Sequence, residues 1–426
     1  LRDQTDPSAA PLARRMGKVG EYAPYVLTVG AVWLAWQVLL QPAILRAPPE
    51  MAVRVAPGSP TVLRRAAEAE FAAGVNAKAK TGAEDSRRFA NAGSLARDVL
   101  AKAPFDVRAL RVVGLSEAKA GRDVAADEIL TLAGNWSLRD DPAHAWLVEN
   151  RLKRGDYASS FAHADTLVRR REDIRPRVFR LFTLASSADP QRALPQVAAL
   201  LDKRPPWRQS YLDSLYGTTE GLQVAATLAV MLQKGKAPLT NEELSQLYMH
   251  LIEKGQLPAL RTVRASLNRP PAANVSNGGF DTPDIPAPFQ WRLAQEAGVT
   301  VEMVADDVRP ADTALRVDYD GYSSVHVAEQ LMFLAPGRYR LTAEARAEAG
   351  DPGRRLAWTV TCAPGDLTIL STPVAPTPAE VWTPIAAEFT VPASCPGQWL
   401  RVASRAGERR VNTIAWIDRV AVTAVR

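Results

Sequence analysis

Gly337-Arg338-Tyr339-Arg340-Leu341-Thr342-Ala343-Glu344-Ala345-Arg346 decides the fold of the last third of the chain. Tyr339, Leu341, Ala343 and Ala345 alternate with Arg338, Arg340, Thr342, Glu344 and Arg346, the period of a strand with one buried and one wet face. Leu356, Trp358, Val360 and Cys362 repeat the beat, and so do Ile414, Trp416, Asp418, Val420 and Val422. Pro336-Gly337, Asp351-Pro352-Gly353, Pro364-Gly365, Pro396-Gly397 and Ala406-Gly407 supply turns between them. About eight short strands at this spacing predict a two-sheet antiparallel sandwich over 274–426. Trp358 and Trp416 share the apolar parity and are expected in its core. The proline-rich 269–273 reads as a linker.

Upstream, 60–268 is rich in Ala, Leu and Arg with few β-branched runs, a helical pattern. Its turns repeat: Ala120-Gly121-Arg122-Asp123 returns as Arg154-Gly155-Asp156-Tyr157, with the glycines 34 residues apart. At the same phase Leu110 and Gly114 fall on a first helix, Ala126 and Leu130 on a second. Helices are expected again over 189–203, 211–234 and 241–267, with Gly255 at one more turn. Gly155-Asp156-Tyr157 followed by Ser160, Phe161 and Ala164 resembles the tetratricopeptide repeat, best over about 90–170. That resemblance implies a solenoid of helical hairpins with a concave surface for protein partners. Leu110 and Glu117 stand where the family usually carries aromatic residues. An irregular helical bundle without true repeats is the alternative.

Near the N-terminus, Tyr22 to Leu45 is 24 residues without a charge. At about 1.5 Å per residue it would be about 36 Å long as a helix, enough to cross a hydrocarbon core of about 30 Å. An uncleaved transmembrane helix over 22–45 is expected, with a cytoplasmic tail over 1–21 and a linker over 46–59. A cleaved signal peptide is the alternative, disfavoured by the length of the run and by the poor cleavage site Arg46-Ala47-Pro48-Pro49. Arg14, Arg15 and Lys18 precede the span and Arg46 and Arg54 follow it, a slight positive-inside bias.

Cys362 and Cys395 are the only two cysteines, and both fall in the β-region. A lone pair confined to one module suits a disulfide in an oxidising compartment, here drawn across the two sheets; two unrelated thiols are the alternative. With the charge bias, this places the bulk of the chain in a bacterial periplasm, held at the inner membrane. The net charge of +6 comes from 52 basic and 46 acidic residues spread along the chain, with no basic run interleaved with aromatics, so nucleic-acid binding is unsupported.

Four further stretches carry a second resemblance: Asn277-Gly278-Gly279-Phe280, Pro288-Phe289-Gln290-Trp291, the run from Gln330 to Arg340, and Ala415-Trp416-Ile417-Asp418-Arg419-Val420. They resemble the jelly-roll carbohydrate-binding modules of the family 4/9/22 type. The resemblance implies a glycan ligand, and it makes Asp418 the position of a structural calcium. Sugar rings stack on exposed aromatic faces flanked by hydrogen-bonding groups. Tyr319 and Tyr322 in the loop-like stretch 318–322, Trp382, and Arg346 and Glu344 on the polar face are the candidates, with packing or a solvated face as the competing explanation for each.

No catalytic constellation is legible. The four histidines are scattered, no glycine-rich phosphate loop or Gly-x-Ser-x-Gly elbow occurs, and Asp284, Asp306, Asp307 and Asp318 read as loop residues. No enzyme activity and no cofactor beyond the calcium is expected. The reading is a membrane-anchored periplasmic scaffold in surface-polysaccharide (exopolysaccharide) synthesis or export. Its repeats would hold protein partners and its sandwich would hold glycan. A protein-interaction subunit without sugar binding is the rival, and a degraded glycoside-hydrolase accessory chain a third.

Overall fold

The computed structural model describes residues 24–36, 38, 41–76, 82–267, 274–281, 285–365, 367–375 and 380–425. They form two compact units, one ending at Leu167 and the other beginning at Val168. The second therefore holds helices and sandwich together. The expected tail 1–21 and linker 269–273 lie outside the described residues.

The first unit is helical: α1 (24–35), α2 (Gln41–Arg46), α3 (Pro49–Val55), α4 (Pro60–Asn76), α5 (Gly82–Lys102), α6 (Val107–Lys119), α7 (Asp123–Trp136), α8 (Asp141–Lys153) and α9 (Tyr157–Val168). The described side chains of α1 are exposed, and α3 falls in the expected linker. Positions 22, 23, 37, 39 and 40 of the expected membrane span lie outside the described residues. Among the described residues, no helix is long and apolar enough to cross a membrane.

Two 34-residue intervals recur in the hydrogen bonds. Asp106 caps α6 by accepting the Ala109 N–H at 3.1 Å, and Asp140 caps α8 by accepting that of Ala143 at 3.2 Å. At the other ends Gly121 and Gly155 take φ of 75° and 69°, the left-handed region open to glycine. The next amide then reaches back five residues, Arg122 to the Glu117 carbonyl at 3.0 Å and Asp156 to Arg151 at 2.9 Å. Gly255 in the second unit repeats this, with φ 67° and Gln256 bonded to Leu251. Helices α6 and α7 close on Gly114: a Cβ there would stand 2.6 Å from Leu130 Cγ. Glu117, at a position the family usually fills with an aromatic, is buried and ion-paired to Arg122 and Arg97, Arg122 foremost in holding its carboxyl below the usual value.

The second unit opens with α10 (Arg175–Ala188), α11 (Pro190–Leu201), α12 (Arg208–Leu215), α13 (Thr219–Leu232), α14 (Asn241–Glu253) and α15 (Leu257–Ser266). The single helix expected over 211–234 is two, because Thr218 turns its hydroxyl onto the Gly221 N–H and starts a new helix. Buried Arg208 grips Glu243 through two 2.9 Å bonds and also donates to the carbonyls of Leu201 and Ala237.

Among the described residues ten strands follow: β1 (Arg292–Leu293), β2 (Val299–Ala305), β3 (Thr313–Tyr319), β4 (His326–Met332), β5 (Gly337–Ala349), β6 (Leu356–Ala363), β7 (Thr368–Pro373), β8 (Thr383–Val391), β9 (Gly397–Ser404) and β10 (Thr413–Ala424), with the short α16 (Pro352–Arg355) before β6. They make two five-stranded antiparallel sheets, β1-β4-β9-β6-β7 and β2-β3-β10-β5-β8, which enclose one apolar core. Leu341, Ala343, Ala345, Leu356, Trp358, Val360 and Cys362 are in that core, as their alternation requires.

Strand β10 departs from expectation. Ala415 and Ile417 face the core; Trp416 and Asp418 do not, standing across from Arg346 and Glu344 on the outer side. A bulge between Asp418 and Ala421, with Arg419 at φ 51°, then resets the parity so that Val420 and Val422 return to the core. The disulfide Cys362–Cys395 is present, with an S–S distance of 2.06 Å. It ties β6 to the turn that enters β9, its neighbour in the same sheet, and does not cross between sheets.

Candidate functional site

The outer face of the β2-β3-β10-β5-β8 sheet gathers four of the expected site residues. Arg346 on β5 is 4 % exposed, 4.5 Å from the Trp416 ring centre and 5.7 Å from that of Trp382. It pairs with Asp306, at 3.3 Å, and with Asp307. Arg309, from the β2–β3 loop, lies 4.0 Å from the centre of Trp382 and reaches Glu344 at 2.8 Å, Asp418 at 3.0 Å and Asp306 at 3.1 Å. The Trp382 indole N–H donates to Asp306 at 2.9 Å. The guanidiniums thus cover aromatic surface on which a sugar would have to stack. This is a charge-locked layer under the β2–β3 loop.

Its electrostatics are those of a closed network. Burial pushes the Asp306 carboxyl up, but the Val308 N–H, Arg309, the Trp382 indole and Arg346 together outweigh it, and the group is held below the usual carboxylate range. Asp418 goes the other way: burial dominates and raises it, although its own backbone contact at Arg419 and the Arg309 charge oppose. Asp418 thus holds a guanidinium at the position the resemblance gives to calcium. Among the described residues, no group of three or more His, Cys, Asp or Glu side chains is arranged to hold a metal ion.

Tyr319 is not a rim residue. It shares the inward parity of Leu315 and Val317, is fully buried, and donates its hydroxyl to the Ser323 carbonyl. Trp291 is also in the core, donating to the Asn277 carbonyl at 3.0 Å, and Trp399 is buried beside Arg401. The other sheet meets α14 and α15: Arg264 lies 3.7 Å from the ring centre of Phe289, Arg261 4.6 Å from that of Phe333, and Tyr248 packs against Phe289.

Tyr322 alone among the expected aromatics is open, with 60 % exposure. It sits on the β3–β4 loop, where Gly321 takes φ 80° against Val411, and its backbone N–H is fixed by Asp320 at 3.0 Å. Arg410, from the β9–β10 loop, stacks 4.9 Å from the ring centre and stands 4.0 Å from Asp320. An exposed ring beside a guanidinium and a carboxylate is what a sugar ring with hydroxyls needs. Sequence reasoning missed Arg410, Arg309 and Asp306 as partners. Arg410 follows Tyr322 by 88 positions, and no local pattern connects them.

In the first unit a cavity of about 720 Å³ is lined by Arg64, Arg108, Arg111 and Arg139 together with Glu68, Asp106 and Asp140. Arg64 is taken by Asp106 and Arg111 by Glu68 and Asp140, while Arg108 and Arg139 are exposed. Beside it, in sequence next to Asp106 and Ser137, Phe105 and Trp136 form an exposed ring pair 5.4 Å apart.

No protein-family model matches the chain, and no curated protein matches it. Solved structures do. The chain is similar to TmCBM61 in complex with β-1,4-galactotriose, at 18 % identity over 36 % of this chain and 99 % of that one, TM-score 0.26. It is similar to the CBM22-1 xylan-binding domain of Paenibacillus barcinonensis Xyn10C, at 13 % identity over 32 % and 86 %, TM-score 0.25. A third likeness is to the enzymatically active domain of bacteriophage CBA120 tailspike protein 4, at 14 % identity over 36 % and 21 %, TM-score 0.27.

Proposed function

We propose that this chain is a non-catalytic adaptor whose sandwich binds glycan at the Tyr322 rim and whose helical unit binds protein. The exposed Tyr322 ring, flanked by Arg410 and Asp320, carries the reading. It offers a stacking surface and hydrogen-bonding groups of both kinds, presented on the β3–β4 and β9–β10 loops. The repeated caps and glycine turns of α6 to α9 support a tetratricopeptide-like array, and the arginine-lined cavity beside Phe105 and Trp136 is where a protein segment would dock.

The apolar run 22–45 supports attachment to a membrane, and the disulfide supports an oxidising compartment such as a periplasm. Together they favour a scaffold beside the machinery that makes or exports a surface polysaccharide. Affinity electrophoresis of the full chain against a panel of neutral and acidic polysaccharides tests the glycan half. Retardation by a polymer, abolished by Tyr322→Ala in a folded protein, is expected. Absence of retardation across the panel would leave only a protein-contact role.

A further inference from the structure

The loops that converge on Tyr322 are unusually rich in arginine. Arg354 and Arg355 come from α16, and Arg405, Arg409 and Arg410 from the β9–β10 loop. Hydrogen bonds join the segments that carry them. The Arg405 N–H donates to the Arg355 carbonyl at 2.8 Å, Arg355 Nη2 to the Arg409 carbonyl at 3.2 Å, and the Gly407 N–H to the Gly321 carbonyl at 3.1 Å. The Arg355 guanidinium lies directly over Gly407, where a Cβ would have to push it aside. Arg410 closes the patch onto the Tyr322 ring.

Three carboxylates share this end. Asp320 pairs with Arg410 at 4.0 Å, Asp351 pairs with Arg354 at 3.2 Å, and Glu408 is exposed. Among the described residues Arg355, Arg405 and Arg409 make no ion pair; the Arg355 guanidinium donates to the Arg409 carbonyl and that of Arg405 to the Ser371 hydroxyl. The layer around Arg346 and Arg309 is the opposite, with both guanidiniums held by carboxylates. Among the described residues of the sandwich, it is the Tyr322 end that keeps positive charge in reserve beside an exposed aromatic face.

We infer that the glycan this rim takes is anionic: a polysaccharide bearing carboxylate, sulfate or phosphate groups, with a sugar ring on Tyr322 and its charged groups on Arg355, Arg405 and Arg409. This rests on the glycan reading above and narrows it. A guanidinium fork matches two oxygens of any of these anions, and such charge-assisted bonds are stronger than neutral ones. Each is worth enough to change affinity about tenfold.

The test uses the full chain and matched polymers: polygalacturonate against its carboxyl-reduced neutral form, and dextran sulfate against dextran, with duplex DNA as a generic polyanion. The expected result is retention by a charged polymer about tenfold or more above its neutral partner, weakening with salt. Arg409→Gln and Arg355→Gln should each reduce it, as should Tyr322→Ala. The two charged polymers separate carboxylate from sulfate recognition. Equal retention by charged and neutral forms, lost in Tyr322→Ala, would overturn the anionic class and keep the glycan site. Retention by DNA equal to that by the polysaccharides, unchanged in all three variants, would overturn the site as well. No retention of any polymer would overturn both readings.

Discussion

Arg346 stands across the β5–β10 ladder from Trp416, its guanidinium 4.5 Å from the indole centre and its Nε buried without a hydrogen bond. The contact places a full positive charge under a loop, where Asp306 and Asp307 compensate it. Charges so buried are costly to strand. The ion pairs tie the β2–β3 loop to the sheet through Asp306 and Asp307, and breaking one strands its partner.

Removing one partner should therefore be expensive. Arg346→Met keeps much of the stem but leaves Asp306 short of a cation, and the expected loss is about 3 kcal/mol, at the lower end for a broken buried pair because Arg309 remains. Urea unfolding followed by tryptophan fluorescence would read it. Pairing the change with Asp306→Asn should recover part of the loss, as members of one network are not additive. A loss under about 1 kcal/mol would mean that water screens the pair as at an exposed site.

Much of this architecture was readable in the chain, and what was not has a physical reason. Alternation along 337–346 and 356–362 located two strands and their inward faces, because period two is a local property. The turns at Gly121, Gly155 and Gly255 were equally local, since each needs a left-handed residue at one position. Trp416 shares sequence parity with Val420 and Val422 but not their face, because the bulge between them resets the parity. The acidic neighbours Asp318 and Asp320 make Tyr319 look like a loop residue, but its register partner Thr413 makes it the last residue of a strand. The Arg309 network joins residues 35 and 109 positions apart, a separation no sequence pattern encodes.

The close approach of α6 and α7 depends on Gly114. An alanine gains about 1 kcal/mol of intrinsic helix preference, but its methyl would meet Leu130 Cγ at 2.6 Å and Cδ2 at 2.7 Å. Overpacking of this kind costs about 1–3 kcal/mol, so Gly114→Ala should be destabilising on balance. Far-UV circular dichroism during denaturation would show it. In a Leu130→Ala background, itself destabilised by the cavity, Gly114→Ala should cost less, whereas simple additivity would mean that the helices part without strain.

Reduction of Cys362–Cys395 should weaken the sandwich. The bond spans 33 residues, and closing a loop of that length restrains the unfolded chain by about 3–4 kcal/mol. A Cys362→Ala/Cys395→Ala variant should show the same lowered unfolding midpoint as the reduced protein. The untreated variant should also be insensitive to reductant. A shift on reduction that persists in this variant would assign the effect elsewhere.

Acid should weaken the first unit through His163. Its ring lies against His144, Nδ1 to Nδ1 at 2.9 Å, with Arg151 3.1 Å from its Nε2. Burial first, then His144 and Arg151, lower its pKa to about 4 from 6.5, against a smaller opposing pull from Asp127 and Asp156. Between those two values the unfolded chain takes up a proton that the folded one refuses. Stability from this group is therefore intact above pH 6.5 and falls as the pH drops towards 4. Urea midpoints of the first unit measured at pH 7.5 and pH 5 should differ in that direction, and His163→Gln should shrink the difference. If the midpoints coincide, the ring is protonated in the folded state, and His144 and Arg151 must have moved away from it.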